Sequence, residues 1–324
     1  MSQVSLDDIE KAYSRIESYL GDTNIVSSQT LDRALNAEIY LKPEQLQRTG
    51  SFKFRGAMAA MTLLTEKQLK NGVIAFSSGN HAQGVACAAK ILKTSSVIVM
   101  PSDAPEIKIK NTKSYGAKVV FYDRQKDNRE EIGKNIAFEE NRILIKPFDS
   151  PEVIAGQGTA ALEAIRSIEF HNKSFDSAII CASGGGLAAG SSIALKKHNP
   201  DCKIYTAEPS QWNDHELSFK ANKRIAIKNT PHGICDALES PCPGEITFDI
   251  NNRNNVKGLS VDDEAIFHAM KFAYHEFNFM LEPSGAIALA CLMSSRSTFK
   301  GKKVLVLLSG GNISTKEFQN HISI

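Results

Sequence analysis

No stretch of this 324-residue sequence is apolar for long enough to span a bilayer, so a membrane-spanning architecture is excluded and a soluble protein is expected. Charge of one sign is missing too. Lysine plus arginine (38) nearly balance aspartate plus glutamate (36), the net charge is +2 at pH 7, and there is no long block of one sign. Nucleic acid and acidic membrane surfaces therefore find no electrostatic footprint. Cysteine is sparse: Cys87, Cys181, Cys202, Cys235, Cys242 and Cys291 are scattered and form no CxxC pair, as expected of reduced thiols in a cytoplasmic protein. The residues from Met1 to Lys11 carry acids and no apolar core, so no secretory signal is expected there. Tryptophan occurs once, at Trp212, and there is no internal repeat, low-complexity linker or appended regulatory module.

What is present suffices for a large core: 42% of residues are hydrophobic, over a length suited to one large or two ordinary domains, and two are expected. Residues 6–20 place Ile9, Tyr13, Ile16 and Leu20 at helical spacing, a packing helix. Strands are expected at Ala37 to Lys42, Gly72 to Phe76, Ser96 to Met100, Val119 to Tyr122, Ala178 to Ala182, Lys203 to Ala207 and Lys303 to Leu308. Helices are expected at Val85 to Leu92, Pro151 to Ile168, Asp262 to Phe277 and Pro283 to Ser294, with Arg224 to Gly258 the least regular region. Strands alternating with helices predict an α/β fold with mostly parallel sheets.

Three strands end in the same kind of turn: Ser77-Ser78-Gly79-Asn80, Ser183-Gly184-Gly185-Gly186 and Ser309-Gly310-Gly311-Asn312. Ligands of parallel sheets collect at the carboxyl ends of strands, so three such turns suggest one shared site, although each alone also fits a plain connector. Glycine lets backbone N–H groups approach an anion, and the positive end of the following helix adds about 0.3–1 kcal/mol. Ser183 to Leu187 is the best phosphate cradle in the chain. Lys53 lies between Phe52 and Phe54, where loss of water favours the neutral amine that attacks a carbonyl to form a Schiff base. A helix start capped by Ser51, with Lys53 in solvent, is the bland alternative. A sharper rival is an NAD-type oxidoreductase: Gly184 to Ala189 fits G-x-G-x-x-A after a strand, and Glu208 ends the next strand where a ribose-binding acid would sit. That reading leaves no role for Lys53 or the other two turns, and Asp214, close beyond Glu208, looks more like part of a small cation loop.

In this order and at these distances, SFKFRGA, SSGNHAQG, SGGGLAAG, EPSQWND, EPSGA and SGGN resemble the pyridoxal-phosphate (PLP) enzymes of the tryptophan-synthase β fold, or fold type II, and within them the serine/threonine dehydratases and serine racemases. The resemblance runs from about residue 6 to 315. It implies two domains with open, twisted, mostly parallel sheets: a large PLP-binding domain (1–46 plus 147–324) and a small mobile one (47–146). It implies Lys53 as the Schiff-base lysine, which also moves the Cα proton, with Phe52 against the cofactor ring. Ser78 matches the hydroxyl that works the opposite face in racemases, and Asn80 the partner of the PLP 3′-oxygen. Ser77, Ser78, Asn80, His81 and Arg129 are the substrate-binding candidates, Ser183 to Leu187 the phosphate loop, and Ser309 the ring-nitrogen partner. Glu208, Asp214 and the carbonyl of Trp212 match a site for Mg²⁺, Mn²⁺ or Ca²⁺.

Two positions depart from the family pattern: Ala237 follows Asp236 where relatives commonly carry glycine, and Trp212 stands where the cation loop usually has a small residue. The resemblance implies β-elimination of water from L-serine, L-threonine or L-threo-3-hydroxyaspartate, giving a keto acid and ammonia, with serine racemisation as the alternative. It also implies a homodimer and an ATP effector near Gln83, Tyr115 and Asn312. An arginine near the β-substituent, Arg129 or Arg55, would favour hydroxyaspartate. His268 and His275 lack a third ligand and read as structural, and Lys108 to Lys113 reads as a solvated helix face.

Overall fold

The computed structural model describes residues 4–228 and 230–323. Among the described residues the strands are β1 (Glu38–Pro43), β2 (Val73–Phe76), β3 (Ser96–Pro101), β4 (Lys118–Tyr122), β5 (Ile143–Leu144), β6 (Ser177–Cys181), β7 (Lys203–Pro209), β8 (Lys257–Val261) and β9 (Lys303–Leu308). They form two wholly parallel sheets, one ordered β1-β9-β6-β7-β8 and the other β4-β3-β2-β5. All four strands of the second sheet fall within residues 73–144, between β1 and β6 in sequence. Central strands such as Val304 to Leu308 and Ala178 to Ile180 read as continuous apolar runs and are almost wholly buried, as a parallel sheet covered by helices requires.

The helix Pro151–Glu169 packs against Leu6–Ile16, Lys53–Met61 and Gly186–His198, while Pro283–Ser294 packs on β6, β7, β8 and β9. The helix Lys53–Met61 also touches Asn80–Ile91, so the segment starting at Lys53 lies at the junction of the two sheets. No helix among the described residues is long and apolar enough to cross a membrane.

Three expectations change. The helix after β2 begins at Asn80 rather than Val85, because the Ser77 hydroxyl accepts from Gly79 N (3.1 Å) and tightens the turn, which makes Asn80 and His81 helix residues. The least regular region is narrower than expected: between Arg224 and Gly244, where Pro231, Gly233, Pro241 and Pro243 fall, the described residues hold one short turn at Asp236–Leu238, but the helix Glu245–Arg253, with Ile250 buried, and the start of β8 occupy the rest. The helix Glu106–Ser114 is not a solvated basic face at its start, since Lys108 is only 2% exposed and pairs with acids of another part of the chain.

Candidate active site

Thr49 and Gly50 take left-handed backbone (φ 65° and 70°), which turns the chain sharply after β1 and brings Lys53 against the turn that follows β9. There Phe52 N donates to Ser309 O (3.2 Å) and Gly311 N to Gly50 O (2.9 Å). The Lys53 amine donates to the Pro147 carbonyl at 2.9 Å and lies 5.1 Å from the Phe52 ring centroid. Burial lowers its ammonium to about 8. Gly84 lets the helix Asn80–Ile91 lie on the Lys53 backbone, for a Cβ there would meet the Lys53 carbonyl at 3.1 Å. His81, one turn earlier, then lies beside the Lys53 side chain. Its Nε2 donates to Ile145 O at 2.9 Å, and burial pushes the imidazole down to about 3, so it is neutral.

The orientation of the glycine turn after β6 follows from its carbonyls. Ser183 O accepts from His215 Nε2 (2.7 Å), Gly184 O from Thr247 Oγ1 (2.5 Å) and Gly244 N (3.2 Å), and Gly185 O from Asn251 Nδ2 (3.5 Å). Because a trans peptide holds its C=O and N–H on opposite sides, pulling three successive carbonyls outward turns the N–H groups of Gly184, Gly185 and Gly186 inward. The helix Gly186–His198 starts there and adds its unpaired first-turn donors. Phe148 packs flat on Gly184, where a Cβ would sit 2.3 Å from its ring. This cavity is lined by Phe52, Lys53, Asn80, Cys181, Ser183 to Leu187 and Ser309. Ser309 Oγ donates to Ser284 O at 3.2 Å. Burial pushes the Cys181 thiol up to about 11, against the pull of Ser309 and Lys53.

A second cavity shares Lys53, Asn80, Phe148, Ser183 and Ala237 with the first and adds Ser77, Ser78, His81, Lys108, Arg129, Asp236 and Glu239. A lysine amine, a glycine-lined turn and a polar chamber thus adjoin. Asn80 Nδ2 donates to Glu282 Oε1 (2.6 Å), and Asn312 Nδ2 donates to Asn80 Oδ1 (2.8 Å). Lys108 is held by Asp236 (2.7 Å) and Glu282 (2.9 Å). Burial alone would lower its ammonium, but the two carboxylates outweigh it and keep it above the ordinary lysine range. Arg129 carries its guanidinium 5.7 Å from the Phe76 ring centroid, and among the described residues no carboxylate pairs with it.

Some sequence candidates lie elsewhere. Arg55 is wholly buried among Glu44, Glu163, Lys42 and Thr23 and faces neither cavity. Glu208 is buried with one oxygen on His215 N and the other on Glu216 N, both at 2.8 Å, so it cannot serve as a ribose hook, and the NAD-type reading fails. Asp214 is near it, and among the described residues no hydrogen-bond partner meets its two buried carboxylate oxygens. No group of three or more His, Cys, Asp or Glu side chains suited to a metal occurs among the described residues. His268 is exposed and faces Glu264 at 3.7 Å. Sequence reasoning missed His215, Thr247 and Asn251, which orient the glycine turn, and Phe148, which covers it. Only His215, directly after Asp214, stood near a recognised motif.

Comparison with known proteins agrees with this geometry. A family model for pyridoxal-phosphate dependent enzymes matches residues 16–310. The chain is 40% identical to L-threo-3-hydroxyaspartate ammonia-lyase of a Pseudomonas species, over 98% of each chain. It is 38% identical to serine racemase of Schizosaccharomyces pombe, over 98% of this chain and 97% of that one. Maize serine racemase superposes with a TM-score of 0.93 at 34% identity, covering 99% of this chain and 98% of the other.

Proposed function

We propose, from the fact that this chain belongs to the pyridoxal-phosphate-dependent enzyme family, that it is an ammonia-lyase of β-hydroxy L-amino acids whose preferred substrate bears a second carboxylate, as L-threo-3-hydroxyaspartate does. The observation that carries the choice over L-serine and L-threonine is Arg129: a guanidinium with no carboxylate partner among the described residues, in the chamber that also holds Lys53. PLP fits the site, since the glycine turn forms a nest of inward N–H groups for its phosphate, and its chemistry when bound is to withdraw electrons from the substrate Cα. Lys53, neutral above about pH 8, takes the Cα proton. Ser77, Ser78, Asn80 and His81, at the start of the helix Asn80–Ile91, receive the α-carboxylate, and Arg129 receives the side-chain carboxylate bidentately. Phe52, Asn80, Ser183 to Leu187 and Ser309 are the residues that would hold the bound cofactor: Phe52 against its ring, Asn80 for its 3′-oxygen, the glycine turn for its phosphate and the Ser309 hydroxyl for its nitrogen. Serine racemisation is the second reading, supported by Ser78, a partly exposed hydroxyl in the same chamber.

The same proposal gives Glu208, Asp214 and the Trp212 carbonyl a divalent cation such as Mg²⁺, Mn²⁺ or Ca²⁺, completed by water. Burial, joined for Glu208 by the neighbouring Asp214, pushes both carboxyls up, and a cation would relieve both effects. It further takes residues 47–146 as a unit that moves on substrate binding, the Lys108 contacts to Asp236 and Glu282 being its latch. A homodimer with an ATP effector near Gln83, Tyr115 and Asn312 completes it; both amide atoms of Gln83 are buried without a partner. The test is purified protein with PLP: a visible band fixed onto Lys53 by borohydride, then keto-acid and chiral assays on serine, threonine and hydroxyaspartate. A colourless protein overturns the proposal, and equal turnover of all three overturns the substrate choice.

A further inference from the structure

A line of contacts runs from Trp212, the chain's only tryptophan, to the wall of the substrate chamber. The indole N–H donates to the Pro231 carbonyl at 3.2 Å. The next residue, His232, holds Glu239 Oε2 through Nδ1 at 2.6 Å, and Gly233 N donates to Glu239 Oε1 at 2.7 Å. Glu239 lines the chamber, its side chain is only 7% exposed, and both oxygens are spoken for. His232 is 62% exposed, so water competes for its bond to Glu239 and that contact alone is weak. The buried indole gives the segment a fixed anchor that the histidine lacks.

The chamber's other charged groups decide what a released Glu239 would do. Lys108 is saturated by Asp236 and Glu282, and the Lys53 amine rests on Pro147 O. Arg129 has no carboxylate partner among the described residues. Among the described residues, a carboxylate set loose in this cavity therefore has one free cation to pair with, the one that the proposed substrate needs.

We propose that Glu239 is a built-in competitor for the substrate's carboxylate, held off Arg129 by residues 231–233, and that Trp212 is the positioning residue that fixes this segment. The inference rests on the reading of Arg129 as a carboxylate site. Trp212 acts through its indole N–H alone, separately from the cation-ligand role proposed for its carbonyl. It also explains why a large side chain suits a position where a small one would leave Pro231 unheld.

The probe is succinate, which has the two carboxylates of hydroxyaspartate and no reacting groups, titrated against the PLP-loaded enzyme by its displacement of radiolabelled succinate in equilibrium dialysis. Trp212→Phe keeps the ring and the carbonyl but removes the N–H. His232→Leu changes an exposed side chain and leaves folding intact. Trp212→Phe should weaken succinate binding about fivefold, the scale of one partly solvated ion pair, and His232→Leu, which removes only the weaker solvated contact, about twofold. Adding Glu239→Gln to either variant should restore the affinity, a rescue that a merely structural role of Trp212 would not give. Unchanged affinity in Trp212→Phe, or a loss that Glu239→Gln fails to reverse, overturns the inference. If Arg129→Met leaves native succinate affinity intact, the reading beneath it falls instead.

Discussion

The Lys53 amine is held on the Pro147 carbonyl, 2.9 Å away, where the chain returns from β5 to the helix Pro151–Glu169. Two residues upstream, the Ile145 carbonyl holds His81 Nε2 at the same distance. Carbonyls two apart on extended backbone share a side, so one short segment fixes both groups. It sets the His81 tautomer and leaves the lysine as the one group there that titrates near neutrality.

The pH dependence of cofactor capture follows. The folded-state value of Lys53 is about 8, below the ordinary 10.5, so the nucleophilic neutral form is a minority at pH 7 and dominates by pH 9. Rapid mixing of apoprotein with PLP should show a capture rate that rises about tenfold over that interval and then levels. Lys53→Ala should show no band at any pH. A rate still climbing steeply beyond pH 10 would show an ordinary, solvated lysine.

How much of this was legible beforehand depended on whether the information was local. Lys53 and the three Ser/Gly turns stand out because each is a short run of residues with one purpose. Arg129 and Arg55 could not be told apart from sequence, since their difference is tertiary: one lies in a cavity with no carboxylate partner among the described residues, the other is locked between Glu44, just after β1, and Glu163 in a distant helix. Lys108 misled for the same reason, because its partners Asp236 and Glu282 lie more than a hundred residues away. The props His215, Thr247 and Asn251 act through backbone carbonyls, which leave no mark on residue identity at the loop.

Arg55 yields a stability prediction. It pairs with Glu44 and Glu163 (each 2.7 Å), and Lys42 adds a 2.6 Å contact to Glu163. Burial pushes the Glu163 carboxyl up, yet Arg55 and Lys42 hold it at about 2, against an ordinary 4.5. A depressed folded-state value means that the stabilisation is complete above pH 4.5 and is lost as pH falls toward 2. Arg55→Met leaves two buried acids facing one lysine and should cost about 3–5 kcal/mol at pH 7. Urea unfolding at pH 7, 4 and 3 should show that cost and a flatter acid dependence, and a change below about 1 kcal/mol would refute the account.

Arg129→Met separates the substrates. For hydroxyaspartate, losing a bidentate charge-assisted pair of about 3 kcal/mol should raise KM on the order of a hundredfold. For L-serine, which has nothing to offer the guanidinium, kcat/KM should change less than about threefold. Equal losses for both would move Arg129 to the α-carboxylate.

The phosphate nest can be tested at one carbon. Gly185 has φ 90°, and a Cβ there would lie 2.6 Å from the His215 ring and 3.0 Å from Thr247 Oγ1, two groups that turn the loop's carbonyls outward. Gly185→Ala combines a left-handed backbone cost of about 1–2 kcal/mol with displacement of those props. PLP affinity, read from the visible band on titrating apoprotein, should fall about tenfold or more. Gly301→Ala is the control, for it too has a left-handed backbone (φ 72°) but nothing near its Cβ. It should lower stability by about 1 kcal/mol and leave PLP affinity alone. Equal effects of the two substitutions on affinity would mean that backbone strain, rather than the orientation imposed by His215 and Thr247, governs the nest.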